Sequence, residues 1–316
     1  MHAALRRLAA GVQAARAGLA YGAMAEGWFA VAIAHRAGRL EGDLTALLLA
    51  MSVVSLGLFV FGVAMNDVLD RKQDRAFVTE RQGRWLLSVQ WLAVLAVISL
   101  LAALAAASQF GRSGMLVAGL AAGGIVAYNV LAKFIPAFGF VSLGAIGALH
   151  MLVPDQHPGV LLPFWFSMTF TAIVAGIVHR LRQKRPAATV RGMLVATALW
   201  AAWSAVLTWW IAPQTLDPMI GFDHPGEGIL VAIILLIAFA TVSMAMRRAT
   251  SGAPRQADRF ARLATLTQAL MPSAWFLCMG RPEAAASFAG AAVALALVDT
   301  GVRTGLHLAR PLDYQP

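Results

Sequence analysis

The chain has 316 residues, of which 59% are hydrophobic and 13% are charged, and its mean hydropathy is +0.71. Soluble domains carry about 25% charged residues, so this composition excludes a water-soluble globular protein and indicates a membrane protein. The formal net charge of +10 would also suit a nucleic-acid-binding protein, so the positions of the basic residues decide between the two classes.

Ten stretches of the sequence are candidates for transmembrane helices, which need roughly 17–25 mostly apolar residues. Only the first of them contains a charged residue, Glu26, and the last two are weaker candidates because they are rich in alanine. In chain order the candidates cover residues 17–34, 44–65, 85–109, 113–132, 134–153, 159–178, 192–212, 228–246, 263–280 and 284–298. We predict an all-α, polytopic transmembrane bundle of nine to ten spans. No linker divides the sequence, so residues 1–316 are predicted to form a single domain.

The basic residues predict the orientation of these spans, because Lys and Arg in short loops stay on the cytoplasmic side. With the N-terminus inside, all 25 Lys and Arg lie on the cytoplasmic side except Arg36, Arg39, Arg112 and Arg281. The positive charge therefore indicates topology and contact with anionic membrane lipids, and no nucleic acid is expected as a partner. Since the long, charged loops are on the inner side, we expect an active site facing the cytoplasm. The low charge and high alanine content favour a bacterial plasma (inner) membrane.

The strongest local motif is N-D-V-L-D-R-K-Q-D at residues 66–74, where the second span meets the cytoplasm. If the helix continues through the motif, Asp67, Asp70 and Asp74 share one face. The amide of Asn66 then lies beside Asp70. Carboxylate and amide oxygens suit hard cations, and Mg²⁺ is usually held by one or two carboxylates together with substrate phosphates. The motif therefore predicts a site for Mg²⁺ and a diphosphate, and the alternative is a solvated helix end whose carboxylates pair with neighbouring basic side chains.

This motif resembles the first aspartate motif, N-D-x-x-D-x-x-x-D, of the UbiA-type intramembrane prenyltransferases. The resemblance extends over most of the chain. Arg16 precedes the first span as an early arginine does in the family, and Arg81 and Gly83 stand where a family Arg-Pro-x-x-Gly stretch follows the motif. Tyr128 and Lys133 are similar to the Tyr/Lys pair that ends the fourth helix of the family.

The resemblance implies an enzyme that transfers an isoprenyl group from an isoprenyl diphosphate to a lipophilic, aromatic acceptor, with Mg²⁺ as cofactor. The residues that it implies as metal ligands are Asn66, Asp67, Asp70 and Asp74. Those that it implies for catalysis are Asp67, Asp70, Tyr128 and Lys133. Those that it implies for diphosphate binding are Asn66, Arg16 and Lys133.

The second aspartate motif of the family, in the loop after the sixth span, has no counterpart, since residues 179–185 read H-R-L-R-Q-K-R. With one metal fewer, part of the diphosphate charge would be unneutralised. We expect Arg180 and Lys184 to bind that charge through charge-assisted hydrogen bonds, together with His179. The alternative is that this loop is only the basic cytoplasmic flank of a span.

Two further features lie inside the spans. Glu26 is a candidate functional residue because a carboxylate within the membrane is costly, and it would accept a proton from the acceptor or orient it. The alternative is a protonated Glu26 hydrogen-bonded within the bundle. His150 is interpreted as a locally hydrogen-bonded histidine near the end of a span. The aromatic side chains expected to shield a carbocation by cation–π contact are Phe164, Trp165, Phe166, Trp200 and Trp203.

The sequence therefore predicts a membrane prenyltransferase. One alternative is a catalytically altered relative that binds lipid diphosphates as a carrier or assembly partner, and another is a membrane terpene cyclase that uses the same ionisation chemistry. A cation transporter is less well supported, because the outer half of the spans offers no acidic ring to match the aspartate motif.

Overall fold

The computed structural model describes residues 20–77, 88–211, 222–249 and 253–308, without the side chains of 71–77, 247, 249, 253–255, 303 and 305–308. Over these residues it contains ten α-helices, two 3₁₀ helices and no strand. The α-helices are α1 (Tyr21–Arg36), α2 (Leu44–Phe77), α3 (Val89–Ala107), α4 (Gly111–Val130), α5 (Pro136–Met151), α6 (Leu162–Leu181), α7 (Val190–Ile211), α8 (Pro225–Ala249), α9 (Ala253–Cys278) and α10 (Pro282–Leu308). The predicted all-α class is confirmed.

The helices follow the predicted spans in order. Six helical stretches are long and apolar enough to cross a membrane, and the longest, Val89–Val130, comprises both α3 and α4. Helix α5 is apolar but shorter, with 16 residues. The chain is therefore an integral membrane protein, and the ten helices agree with the prediction of nine to ten spans.

Polar side chains and prolines fix where several helices begin. The side chain of Ser88 accepts a hydrogen bond from the backbone N–H of Trp91 at the start of α3, and Asp43 does the same for Ala46 at the start of α2. Pro136 occupies the first position of α5, where a missing N–H costs nothing. These caps satisfy backbone donors that would otherwise be unpaired close to lipid.

Helix α9 lies at the centre of one side of the bundle, in contact with α1, α6, α8 and α10. On the other side α2 packs against α3 and α4, while α5 packs against α4, α6 and α7. Large side chains such as Phe29, Met51 and Phe164 fill the core between these helices. Apolar side chains on the outside, including those of Trp209 and Leu230, are exposed, as expected for a surface that faces lipid.

Small residues allow the closest approaches between helices. A Cβ atom added to Gly228 on α8 would collide with the Ala274 carbonyl oxygen and with Cys278 on α9. A Cβ added to Gly144 on α5 would collide with the Met168 carbonyl oxygen on α6. In a membrane, where lipid is as apolar as the protein core, such close packing is a main source of helix association.

We predict that Gly228→Ala destabilises the protein, because two of the three nearest atoms, the Ala274 carbonyl oxygen and the Cys278 backbone nitrogen, belong to the backbone of α9 and cannot move aside. The expected loss is about 1–3 kcal/mol of unfolding free energy, measured by thermal denaturation in detergent. The matched control is Gly290→Ala on α10, where an added Cβ meets nothing within 4 Å. Helix propensity favours alanine at such a position, so the control should be neutral or slightly more stable. Equal stability of the two variants would contradict the packing assigned to α8 and α9.

Candidate active site

A cavity of about 490 Å³ lies inside the bundle between α1, α2, α4, α5, α6 and α9. We call one end the mouth; its lining residues are Asn66, Tyr128, Lys133, Arg182 and Lys184. We call the opposite end the inner end; its lining residues include Glu26, Ser55, His150, Thr171 and Gln268. An α-helix rises about 1.5 Å per residue, so the residues between Asn66 and Ser55 on α2 separate the two ends by roughly 16 Å.

Lys133 is at the centre of the mouth. Its Nζ donates a hydrogen bond to Asp70 Oδ1 at 2.5 Å, and it lies 3.5 Å from Asn66 Oδ1. Asn66 and Asp70 are one turn apart on α2, so both oxygens reach the same ammonium group. The side chains of Lys133 and Asp70 are only 12% and 27% exposed, so this ion pair is partly shielded from water. The structure thus brings together three of the predicted site residues.

The local backbone explains the position of Lys133. Helix α4 ends at Val130, and a short 3₁₀ helix, Ala132–Phe134, leads directly to Pro136 at the start of α5. The lysine is therefore held in a tight connection between two packed helices. Tyr128, in the last turn of α4, lines the cavity beside it.

The remaining residues of the predicted metal and diphosphate site are placed differently. Asp67 is half-buried on α2 and does not line the cavity. Asp74 lies in α2, but its side chain is outside the described part of the structure, and Arg16 is outside the described residues altogether. Within the described residues, no three His, Cys, Asp or Glu side chains converge as ligands of a metal ion. The Mg²⁺ site therefore stays a prediction.

The basic segment after α6 lies at the mouth. Arg182 lines the cavity and donates to Asp258 Oδ1 on α9 at 2.6 Å. His179 also lines it, in edge contact with the ring of Phe140, and forms a 3.0 Å hydrogen bond with the Pro186 carbonyl oxygen.

Sequence reasoning chose Arg180 in this segment and missed Arg182. Lys184 lines the cavity as expected, but Arg180 is exposed and is not among the lining residues. Helical periodicity carries the missing signal, because Val174, Val178 and Arg182 follow one another at steps of four and share one face of α6. Arg180 falls outside that face.

The aromatic side chains expected to shield a carbocation lie elsewhere. The rings of Trp165 and Trp200 pack against each other, with centroids 5.6 Å apart, and their indole N–H groups donate to Ser204 and Thr169. Trp203 is 40% exposed. None of the five expected aromatic residues lines the cavity, and the aromatic residues that do line it are Phe59, Tyr128, Phe140 and Phe170.

Among solved structures, the chain is similar to that of digeranylgeranylglyceryl phosphate synthase, with a TM-score of 0.51 and 15% identity over 96% of both chains. The chain has the UbiA-type prenyltransferase fold. A UbiA homolog from Aeropyrum pernix K1 also matches, with a TM-score of 0.44 and 13% identity over 90% of this chain and 98% of that chain. No family model and no curated protein matches the sequence. The resemblance inferred from the aspartate motif is thus confirmed at the level of the UbiA-type fold.

The pairing of Asp70 with Lys133 predicts a measurable coupling energy. In a double-mutant cycle of Asp70→Ala and Lys133→Ala, we expect a coupling energy of about 1–2 kcal/mol, because both side chains are shielded and in direct contact. The measurement is the unfolding free energy in mixed detergent micelles. The comparison cycle is Arg182→Ala with Asp258→Ala, whose aspartate is 57% exposed, and exposed pairs contribute about 0–1 kcal/mol. A coupling no larger than that of the comparison pair would contradict a shielded ion pair at the mouth.

Proposed function

We propose that the chain is an integral membrane prenyltransferase, which transfers an isoprenyl group from an isoprenyl diphosphate to a lipophilic, aromatic acceptor. The observation that carries this proposal is the cluster of Asn66, Asp70 and Lys133 at the mouth of a largely apolar cavity. A polar end that suits a diphosphate is continuous with an apolar space that suits an isoprenyl chain. The UbiA-type fold supports the same conclusion.

The basic side chains at the mouth would bind the diphosphate. Lys133, Arg182 and Lys184 line this end of the cavity, so three cationic groups converge where the anion would lie. Hydrogen bonds between a cationic donor and a phosphate are among the stronger interactions in proteins, and guanidinium can bind phosphate through two N–H groups. As diphosphate leaves, its negative charge increases, and these fixed donors would stabilise it.

The oxygen atoms of the aspartate motif would hold Mg²⁺. The donor set fits this ion, because Mg²⁺ prefers carboxylate and amide oxygens. Asn66 Oδ1 and Asp70 Oδ1 already face one cation, Lys133 Nζ, at 3.5 Å and 2.5 Å. Asp67 and Asp74 would complete the set. When bound, the ion would neutralise part of the phosphate charge.

The middle of the cavity would hold the isoprenyl chain away from water. Its lining side chains are mostly apolar and include Leu58, Val63, Ile146 and Val174. An allylic cation formed near the mouth reacts with water unless water is excluded. Phe59, Phe140, Phe170 and Tyr128 present aromatic rings to the same space, and the faces of such rings attract cations.

The proposed orientation and location follow from charge. Loops at the mouth end of the helices carry most of the basic residues, which favours a mouth facing the cytoplasm. The membrane would be a bacterial plasma membrane.

The experiment that tests this function is consumption of geranyl, farnesyl and geranylgeranyl diphosphate by the purified protein in detergent, with Mg²⁺ and a panel of phenolic and quinol acceptors. We expect Mg²⁺-dependent release of diphosphate that falls at least 100-fold in Asp67→Asn and in Asp70→Asn. The reason is that each variant removes a charged oxygen ligand while preserving the shape of the side chain.

The matched control is Asp223→Asn, an exposed aspartate just before α8 and outside the cavity lining, which should retain full activity. Full activity of both motif variants would refute the metal site. Diphosphate binding without release, under every acceptor and donor, would instead support a carrier or assembly role.

Arg180 and Arg182 of the basic segment allow a second test. We expect Arg182→Gln to weaken the binding of a non-hydrolysable farnesyl diphosphate analogue about tenfold or more, since a hydrogen bond to a charged group contributes about 1.5–3 kcal/mol. Arg180→Gln should leave binding unchanged, because Arg180 is exposed and does not line the cavity. Affinity is measured by titration in detergent. The reverse order of the two effects would support Arg180, the residue predicted from the sequence, as the diphosphate ligand.

A further inference from the structure

The inner end of the cavity is polar, although it lies deep in an apolar bundle. Glu26 on α1 is buried and its Oε2 accepts two hydrogen bonds, from Ser167 Oγ on α6 at 2.9 Å and from Gln268 Nε2 on α9 at 2.7 Å. Three helices therefore meet at one carboxyl group. Its other oxygen, Oε1, forms no hydrogen bond within the described part of the chain.

A second pair of polar side chains joins α5 to α2 at the same end. His150 Nε2 lies 2.9 Å from Ser55 Oγ, and the Ser55 hydroxyl donates to the Met51 carbonyl oxygen at 2.7 Å. The hydroxyl has a single proton, and that bond uses it, so His150 Nε2 is the donor to Ser55. In the neutral ring Nδ1 then remains as a hydrogen-bond acceptor, and His150 lines the cavity.

A buried hydroxyl at the same end of the cavity has no partner. Among the described residues nothing pairs with Thr171 Oγ1, one turn along α6 from Ser167, and Thr171 lines the cavity. On the facing helix α5 stands Gly147, where an added Cβ would be 3.6 Å from both Ser167 Oγ and Thr171 Oγ1. The glycine thus leaves space beside the two hydroxyls. A buried polar atom without a partner is unfavourable, and a ligand that supplies one removes the cost.

We propose that Glu26, His150, Thr171 and Gln268 form an inner subsite that binds one uncharged hydroxyl or carbonyl group of an otherwise apolar ligand. The group is uncharged, because the Lys and Arg side chains among the described lining residues, Lys133, Arg182 and Lys184, are all at the mouth, and a charge deep in an apolar bundle is costly. The subsite offers both acceptors and a rotatable hydroxyl, which suits a group such as a phenol or a quinone oxygen.

The inner subsite deepens the proposed function and rests on it in one respect, namely that the ligand is the acceptor. At roughly 16 Å from the mouth, the subsite would hold the polar group at the far end of an acceptor that lies beside the isoprenyl chain and extends towards the mouth. Hydrogen bonding at this depth selects against a ligand without the polar group, because the buried protein atoms would then stay unpaired.

The test measures equilibrium binding of 1-naphthol to the full chain in phosphatidylcholine nanodiscs, with 1-methylnaphthalene as the hydrocarbon of similar shape and empty nanodiscs as background. We expect the protein to bind 1-naphthol at least tenfold more tightly than 1-methylnaphthalene. Thr171→Val should reduce the affinity for 1-naphthol about 3- to 10-fold, the effect of one neutral hydrogen bond, and leave that for the hydrocarbon unchanged.

The variants separate binding from folding. Thr171→Val removes a hydroxyl that no described group uses, so the fold should persist, as judged by an unchanged melting temperature. Glu26→Leu should reduce binding of 1-naphthol further, and Glu26→Gln should retain more of it, because the amide oxygen still accepts from Ser167 and Gln268. The matched control is Thr197→Val, which removes an exposed hydroxyl on α7 that donates to the Met193 carbonyl oxygen. Equal affinity for the two probes, or unchanged affinity in Thr171→Val, would overturn the inner subsite.

Pyrophosphate binding in the presence of Mg²⁺, measured on the same samples, keeps the two proposals apart. Asp70→Asn should weaken binding of pyrophosphate and leave the preference for 1-naphthol intact. A preference for 1-naphthol without any binding of pyrophosphate would support the inner subsite and reject the diphosphate site. Pyrophosphate binding without that preference would support the diphosphate site and reject the inner subsite.

Discussion

A polar group within a bilayer must find its partner inside the protein, and this constraint organises the whole chain. The outer surfaces of α3, α7 and α8 are apolar, and large side chains such as Trp91, Trp209 and Ile237 are exposed there. Several polar side chains of the bundle, among them Asn66, Lys133, Glu26 and His150, instead line one cavity. Its two polar ends are separated by a largely apolar middle, so a polar ligand group can be hydrogen-bonded at either end and an apolar chain can lie between them.

The mouth shows how opposite charges prepare such a site. Asn66 and Asp70 present oxygens one turn apart, and Lys133 reaches both from the connection between α4 and α5. The lysine offsets the negative charge of the motif, whose carboxylates would otherwise repel one another. Because the connection is short and Lys133 is already bonded to Asp70, the ammonium group is positioned before any ligand binds, and less ordering entropy is lost on binding.

Much of the fold could be predicted from the sequence because the signal is continuous. Apolar stretches predicted every helix from α1 to α10, and Asn66 and Asp70 of the aspartate motif lie at the mouth. Contacts between distant segments could not be predicted in the same way. Nothing local in the sequence joins Glu26 to Gln268, and the exposed position of Arg180 depends on which face of α6 packs inward. The tryptophans of α6 and α7 were misjudged for that reason, since their indole groups pair between helices instead of lining the cavity.

The charge balance of the mouth bears on whether the basic segment can replace a second metal. Lys133 is already paired with Asp70, and Arg182 with Asp258, so each of these two cations has a carboxylate partner before a ligand arrives. A diphosphate would add several negative charges to a site in which those pairs are already balanced. In the proposed function these two cations would therefore fall short of neutralising it, and the proposal includes an additional cation for that reason. This requirement is the physical reason for retaining Mg²⁺ at the aspartate motif in the proposed mechanism, with Arg182 and Lys184 assisting it and not replacing it.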